Sequence, residues 1–235
     1  MSAISNSGTL TLREKYGDRV PAYNNRGRKW PDAVLEKCPI LLSTDLRDGN
    51  QSLRIPMTFA QKLRFYHLIV SIGFKEIEIG HPCANDTEFE FIRHLVDTQN
   101  LIADDLLVRV IAPCSEEAVE RAMQSVNGAP KAVIFTYLPS SNNYRETVLG
   151  ISENDWVDRA VRVTRYVRSL THKSQYRKRT KWAFNFGFED YANARLEAVI
   201  GCAEAVKATW RPSREEPMIF FRRLQRGKLD AEHIR

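Results

Sequence analysis

The 235-residue sequence has no apolar run long enough to span a bilayer, so a helical membrane anchor is not among its expected roles. Its four cysteines, Cys38, Cys83, Cys114 and Cys202, are scattered without a CxxC. That spacing argues for thiols in a reducing compartment, against a disulfide framework or a zinc knot. No GxGxxG follows the first strand-like segment, which leaves a dinucleotide-binding sheet unsupported. No HxH occurs anywhere. The N-terminal stretch "MSAISNSGTLTLREKYGDR" lacks the apolar core of a secretory signal and has no acidic residue before Glu14. Only Arg13 supplies positive charge ahead of it, so the expected setting is the cytoplasm, with a mitochondrial presequence as the alternative.

The net charge is +6, but the excess sits in two stretches, "SQYRKRTK" at 174–181 and "RRLQRGK" at 222–228. Such runs read as solvated segments. With no groove-reading motif present, no nucleic-acid partner is expected, and no membrane partner either. Phosphate-bearing small molecules remain compatible with the charge.

What the sequence does have is alternation. "CPILLSTDL", "KEIEIG", "LLVRVIA", "KAVIFTYLP", "KWAFNFG" and "EEPMIFF" read as strands. Helical patterns separate them. The first has Phe59, Leu63, Tyr66 and Val70 on one face, a Thr58/Gln61 capping box and Gly73 at its end. The second places acidic residues in its first turn, where the helix dipole favours them. Ser115 and Ser152 cap the third and fourth, and the fifth is read over "EDYANARLEAVIGCAEAVKATW". Repeated strand–helix units imply an α/β fold with a parallel sheet, either an open doubly wound sheet or a (β/α)8 TIM barrel.

Barrels build their sites at the C-terminal ends of their strands. The first strand runs into "STDLRDGNQSL" at 43–53, a dense cluster of carboxylates, amides and a guanidinium. The other strand ends offer Glu78, Gly80 and His81, then Pro113 and Cys114, then Thr136 and Tyr137 with "PSSNNYRE", then Asn185 and Gly187. Asp48 suits an oxygen-and-imidazole metal site as its carboxylate. Of the five histidines only His81 is near a strand end: His67 and His94 fall in helices, His172 in a polar loop and His233 in the tail.

"DLRDGNQ", "GFKEIEIG" and the following "HPCANDTEFEFIR" together resemble the N-terminal half of the 2-isopropylmalate synthase family, over residues 25–220. The resemblance implies a TIM barrel that binds a divalent metal, Mg2+ or Mn2+. It implies a Claisen-type condensation of acetyl-CoA, the co-substrate, with a 2-oxo acid, followed by thioester hydrolysis. Residue by residue, Asp48 matches the metal-binding aspartate and Arg47 the arginine that stabilises the developing enolate or oxyanion. Gln51 matches a glutamine at the substrate end, and Glu78 and Thr136 are expected substrate contacts. Family members are dimers, so self-association is expected.

The match departs from the family in three places. The family's HxH metal ligands belong to strand seven, which this chain does not reach. Asn185 stands where the fifth strand carries a substrate-contacting glutamate, and Phe135 where the fourth carries a histidine facing the oxo acid. After "EEPMIFF" the family pattern is lost. The expectation is an incomplete barrel of about six strands: an arm at 1–37, a partial catalytic barrel at 38–221 and a divergent basic tail at 222–235. Phe135 and Asn185 read as drift, as respecification for a larger or aromatic oxo acid, or as an offset of a residue or two in matching the strands. The expected role is an acyltransferase for leucine-type chain extension or for an unusual amino-acid precursor in specialised metabolism. The alternative is a non-catalytic fragment that associates with a full-length synthase.

Overall fold

In a computed structural model of the chain, residues 39–222 are described. The arm at 1–37 and the tail beyond Arg222 lie outside the described residues. The chain divides after Pro39, and every element below belongs to the unit that starts at Ile40.

The strands are β1 (Leu42–Ser43), β2 (Glu76–Gly80), β3 (Leu107–Pro113), β4 (Lys131–Pro139), β5 (Lys181–Glu189) and β6 (Met218–Arg222). Between them run α1 (Phe59–Ile72), α2 (Asp86–Asp97), α3 (Glu116–Val126), α4 (Glu153–Thr171), the short α5 (Ser174–Arg177) and α6 (Leu196–Trp210). All strand pairs are parallel, and the sheet order is the chain order, β1-β2-β3-β4-β5-β6. A doubly wound sheet reverses its order at a switch point, so this topology decides between the two expected architectures. Parallel crossovers are right-handed as a rule, and with every step in the same direction that rule puts all helices on one face. The described residues therefore form a six-stranded portion of a (β/α)8 barrel, with helices outside and the other sheet face turned inward.

The helix signals act as read. Thr58/Gln61 and Ser152/Asp155 form capping boxes, Asn85 and Ser115 accept from the third residue of their helices, and Gly73 adopts φ 100°. The main core lies between sheet and helices: Val108, Val110, Ile134, Phe184, Phe186 and Phe188 meet Phe91, Leu95, Val119, Trp156, Val163 and Trp210. In the first helix the buried face is Lys62, Tyr66 and Ile69, while Phe59 remains partly exposed. Lys62 is tolerated inside because its Nζ donates to Glu88 at 2.7 Å and lies 4.4 Å from the Phe91 ring centre. None of the described helices is long and apolar enough to cross a membrane.

Three boundaries differ from expectation. β1 is two residues long, because Arg47, Asp48 and Gly49 turn their N–H groups back to Thr44 O and wind Asp45–Gly49 into one wide turn. β5 continues to Glu189, and the left-handed Asp190 (φ 54°) and a short turn delay the next helix to Leu196. The basic stretch 174–181 contains one helical turn anchored by Tyr176, whose carbonyl accepts from Trp182 Nε1 at 3.1 Å; Arg177, Lys178 and Arg179 are exposed.

Candidate active site

Side chains alternate along a strand, so the residues between the core positions face the barrel interior. These are Glu76 and Glu78 on β2, Arg109 and Ile111 on β3, Phe135 and Tyr137 on β4, and Asn185 and Gly187 on β5. Two ion pairs cross this face. Arg109 Nη2 bonds Glu76 Oε1, and Arg47 Nε bonds Glu78 Oε1. Arg47 Nη1 also donates to Asp48 Oδ1 at 2.8 Å. The wide turn after β1 explains the geometry: Leu46 is pinned in the core, Ser43 Oγ holds Asp45 back at 2.7 Å, and Asn50 Oδ1 accepts from Met57 N at 2.7 Å. Arg47 and Asp48 are left to face the rim.

A cavity of about 400 Å³ opens at the C-terminal ends of the strands. Thr44, Arg47, Asp48, Gln51 and His81 line it from the ends of β1 and β2, and Ile111, Phe135, Tyr137, Gly187, Phe188, Glu189 and Phe221 from strands β3 to β6. Glu78 lies beneath, 1% exposed, and supports Arg47. Burial pushes its carboxyl above the usual range, against the opposing pull of Arg47 and, more weakly, Arg109.

Of the residues singled out in the sequence, the structure brings Arg47, Asp48, Gln51 and Phe135 to the cavity wall, with Glu78 behind Arg47. Thr136 is not there. It faces the helix layer beside the Cys114 thiol, because it is one residue out of phase with Phe135. Asn185 is fully buried on the inner face but does not line the cavity, and both its amide atoms lack a partner among the described residues. The β5 carboxylate that reaches the cavity is Glu189, four residues further on. Sequence reasoning missed it by ending the strand at Gly187.

His81 also lines the cavity. Its Nε2 is buried with no hydrogen-bond partner among the described residues. Burial, then the neighbouring Arg47 charge, lowers its pKa; Glu88 opposes them. The unfolded chain therefore binds a proton more readily than the folded one, in a window that starts near the ordinary value of about 6.5 and extends below it. Stability is fully present above that window and falls as the pH drops through it. Urea unfolding at pH 7.5, 6.5 and 5.5 should show this loss, and His81→Gln should flatten it; an unchanged profile in the variant would exclude His81 as the cause.

No group of three or more His, Cys, Asp or Glu arranged to hold a metal ion occurs among the described residues. Asp48 offers one carboxylate, already bonded to Arg47, so these residues do not by themselves form a metal centre.

The HMGL-like family profile matches residues 38–214. The chain belongs to the HMGL-like family. Among its HMGL-like relatives, the isopropyl malate synthase AMT7 of Alternaria alternata is 57% identical over 93% of this chain and 38% of its own length. The isopropyl malate synthase htyA of Aspergillus rugulosus is 46% identical over the same shares, 93% and 38%. The mitochondrial 2-isopropylmalate synthase 2 of Saccharomyces cerevisiae is 39% identical over 82% and 32%. The chain thus spans about a third of the length of these relatives. Among solved structures, the HMG-CoA lyase of Bacillus subtilis superposes with a TM-score of 0.50 at 15% identity, covering 72% of this chain and 55% of the lyase. That likeness places the fold among TIM barrels.

Proposed function

We propose that this chain carries the oxo-acid end of an isopropylmalate synthase-type active site, an acyltransferase condensing acetyl-CoA with a 2-oxo acid. The observation that carries the reading is Arg47. Its guanidinium is fixed by Glu78 below and Asp48 beside it, at the wall of a rim cavity. A cation held in place before reaction stabilises charge that develops during it. In the condensation the acetyl methyl group loses a proton, and its carbon bonds to the keto carbon. The keto oxygen becomes an alkoxide and takes up a proton. Water then cleaves the thioester, releasing CoA and leaving a second carboxylate. In this reading Arg47 binds the oxo acid and holds the developing anion; its place in the cavity lining beside Gln51 and Thr44, which offer hydrogen bonds, supports that role.

A divalent cation, Mg2+ or Mn2+, belongs to this proposal, with Asp48 as the donor the described residues supply; they do not complete its ligand set, and no step is derived through it. The proposed partners are acetyl-CoA, the oxo acid and a second copy of the chain, in the cytoplasm or mitochondrion. The incomplete ligand set favours a second reading: a non-catalytic partner of a full-length synthase. Which acid is extended, for leucine or for an unusual amino acid, belongs to the first reading.

The test is CoA release from acetyl-CoA by the purified 235-residue protein with Mg2+ or Mn2+, with and without oxo acid. Asp48→Asn, which keeps a group for Arg47 to bond, is the control. Release that requires both oxo acid and Asp48 is expected. Release independent of the oxo acid would sink the synthase reading, and no release at all would favour the non-catalytic one.

A further inference from the structure

The β3–β6 side of the cavity is mostly aromatic, and its rings are closely packed. Phe135 is 5% exposed and rests on Gly187: a Cβ at 187 would lie 2.6 Å from Phe135 Cε2 and 3.0 Å from Cζ. The ring therefore occupies space that any side chain at 187 would take. Phe221 meets it edge to face, centroids 5.5 Å apart and planes at 65°, and Tyr137 lies 6.3 Å away. On the buried side the Arg109 guanidinium is 5.8 Å from the ring centre and is itself paired with Glu76. A ring held by a bare backbone, two aromatic neighbours and an anchored cation has little freedom to reorient.

We infer that this aromatic wall, with Phe135 seated on Gly187 as its specificity-determining residue, selects a 2-oxo acid bearing an aryl side chain. The inference rests on the synthase reading and names its substrate class. A ligand whose oxo-acid head bonds Arg47 and whose other end extends across the cavity meets Ile111, Phe135, Tyr137 and Phe221, with Glu189 on the same side. An aryl ring placed there gains aromatic contacts beyond its area burial, because offset and edge-to-face pairs are favourable. A small branched alkyl group makes none of them and leaves part of the wall uncovered. Apolar pockets discriminate by about 10- to 200-fold per methylene-sized difference, so a preference of at least about 10-fold is expected.

The test measures binding of phenylpyruvate and of 2-oxoisovalerate to the 235-residue protein in Mg2+, by isothermal titration or saturation-transfer NMR. Wild type, Phe135→Leu and Gly187→Ala are compared, each after its thermal melt is recorded. Phenylpyruvate should bind wild type about 10-fold or more tightly than 2-oxoisovalerate. Phe135→Leu, which introduces no clash, should bring the two acids within about 3-fold by weakening phenylpyruvate alone. If Gly187→Ala folds, it should weaken phenylpyruvate in the same way, since the displaced ring invades the slot. Equal binding, or tighter 2-oxoisovalerate, in wild type overturns the inference and leaves the synthase reading standing. A preference that survives Phe135→Leu overturns the role of Phe135. Binding of neither acid overturns the inference and the synthase reading together.

Discussion

Arg47→Ala should destabilise the protein by about 3–5 kcal/mol, because it removes one partner of a buried ion pair and strands the other. Glu78 is 1% exposed, and Arg47 supplies its largest charge compensation. Against a typical total of about 5–15 kcal/mol, the loss is large. Arg47→Lys should recover little, since an ammonium does not reproduce the fork that bonds Glu78 and Asp48 together. The pH dependence has a definite sign. Without Arg47 the Glu78 carboxyl in the folded state rises further above its unfolded value, so the folded state binds the proton more readily. Its contribution to stability is then fully present below the unfolded pKa and is lost as pH rises through the folded one. The deficit of the variant should shrink on acidification. A urea double-mutant cycle with Glu78→Gln checks the mechanism: a coupling below about 0.5 kcal/mol would mean the two residues act independently.

Trp210→Ala should cost about 3–5 kcal/mol, the range for removing a buried aromatic side chain. Trp210 ends α6, is fully buried, stacks on Phe184 at 4.8 Å with 25° between planes, and donates Nε1–H to Glu216 O at 3.1 Å. It thereby ties the last helix to β5 and to the approach of β6. Trp210→Phe separates the contributions: it keeps a ring on Phe184 and loses the hydrogen bond, at about 1 kcal/mol for the bond plus the smaller ring's lost packing. Chemical unfolding followed by circular dichroism should rank wild type, Phe and Ala in that order. Equal losses in both variants would mean the hydrogen bond, and not the stacking, holds this corner.

Most of the architecture is legible in the sequence because local chemistry and global fold agree. Thr58 with Gln61, Ser152 with Asp155, and Gly73 mark helix ends through residues that are neighbours in the chain, and the strand–helix alternation sets the parallel sheet. The site is legible only where it is local. "DLRDGNQ" points to Arg47, Asp48 and Gln51, but the partnership of Arg47 with Glu78 joins positions 31 apart and leaves no sequence trace. Thr136 is misplaced by sequence reasoning because a strand buried on both faces reads as a continuous apolar run, and its phase is not visible. Glu189 escapes for a related reason: only the pairing of Pro139 with Glu189 shows that β5 extends so far. His81 reads in the sequence as a solitary histidine near a strand end. The packing that buries its Nε2 beside Arg47 is a tertiary fact.

Neighbours in this sheet are also neighbours in the chain. A growing polypeptide emerges N-terminus first, and its domains form as they become available. Each strand's preceding partner is therefore already synthesised when it emerges, and no strand waits for a distant one to be translated. The residues of the two sides of the cavity consequently leave the ribosome at different moments of synthesis. Arg47 and Glu78 can pair once β2 has left the ribosome, whereas Phe135 has no glycine to lie on until more than fifty further residues have followed it, at Gly187. The Arg47 side of the cavity is complete in the chain early in translation, and the side on which Phe135 lies against Gly187 only late.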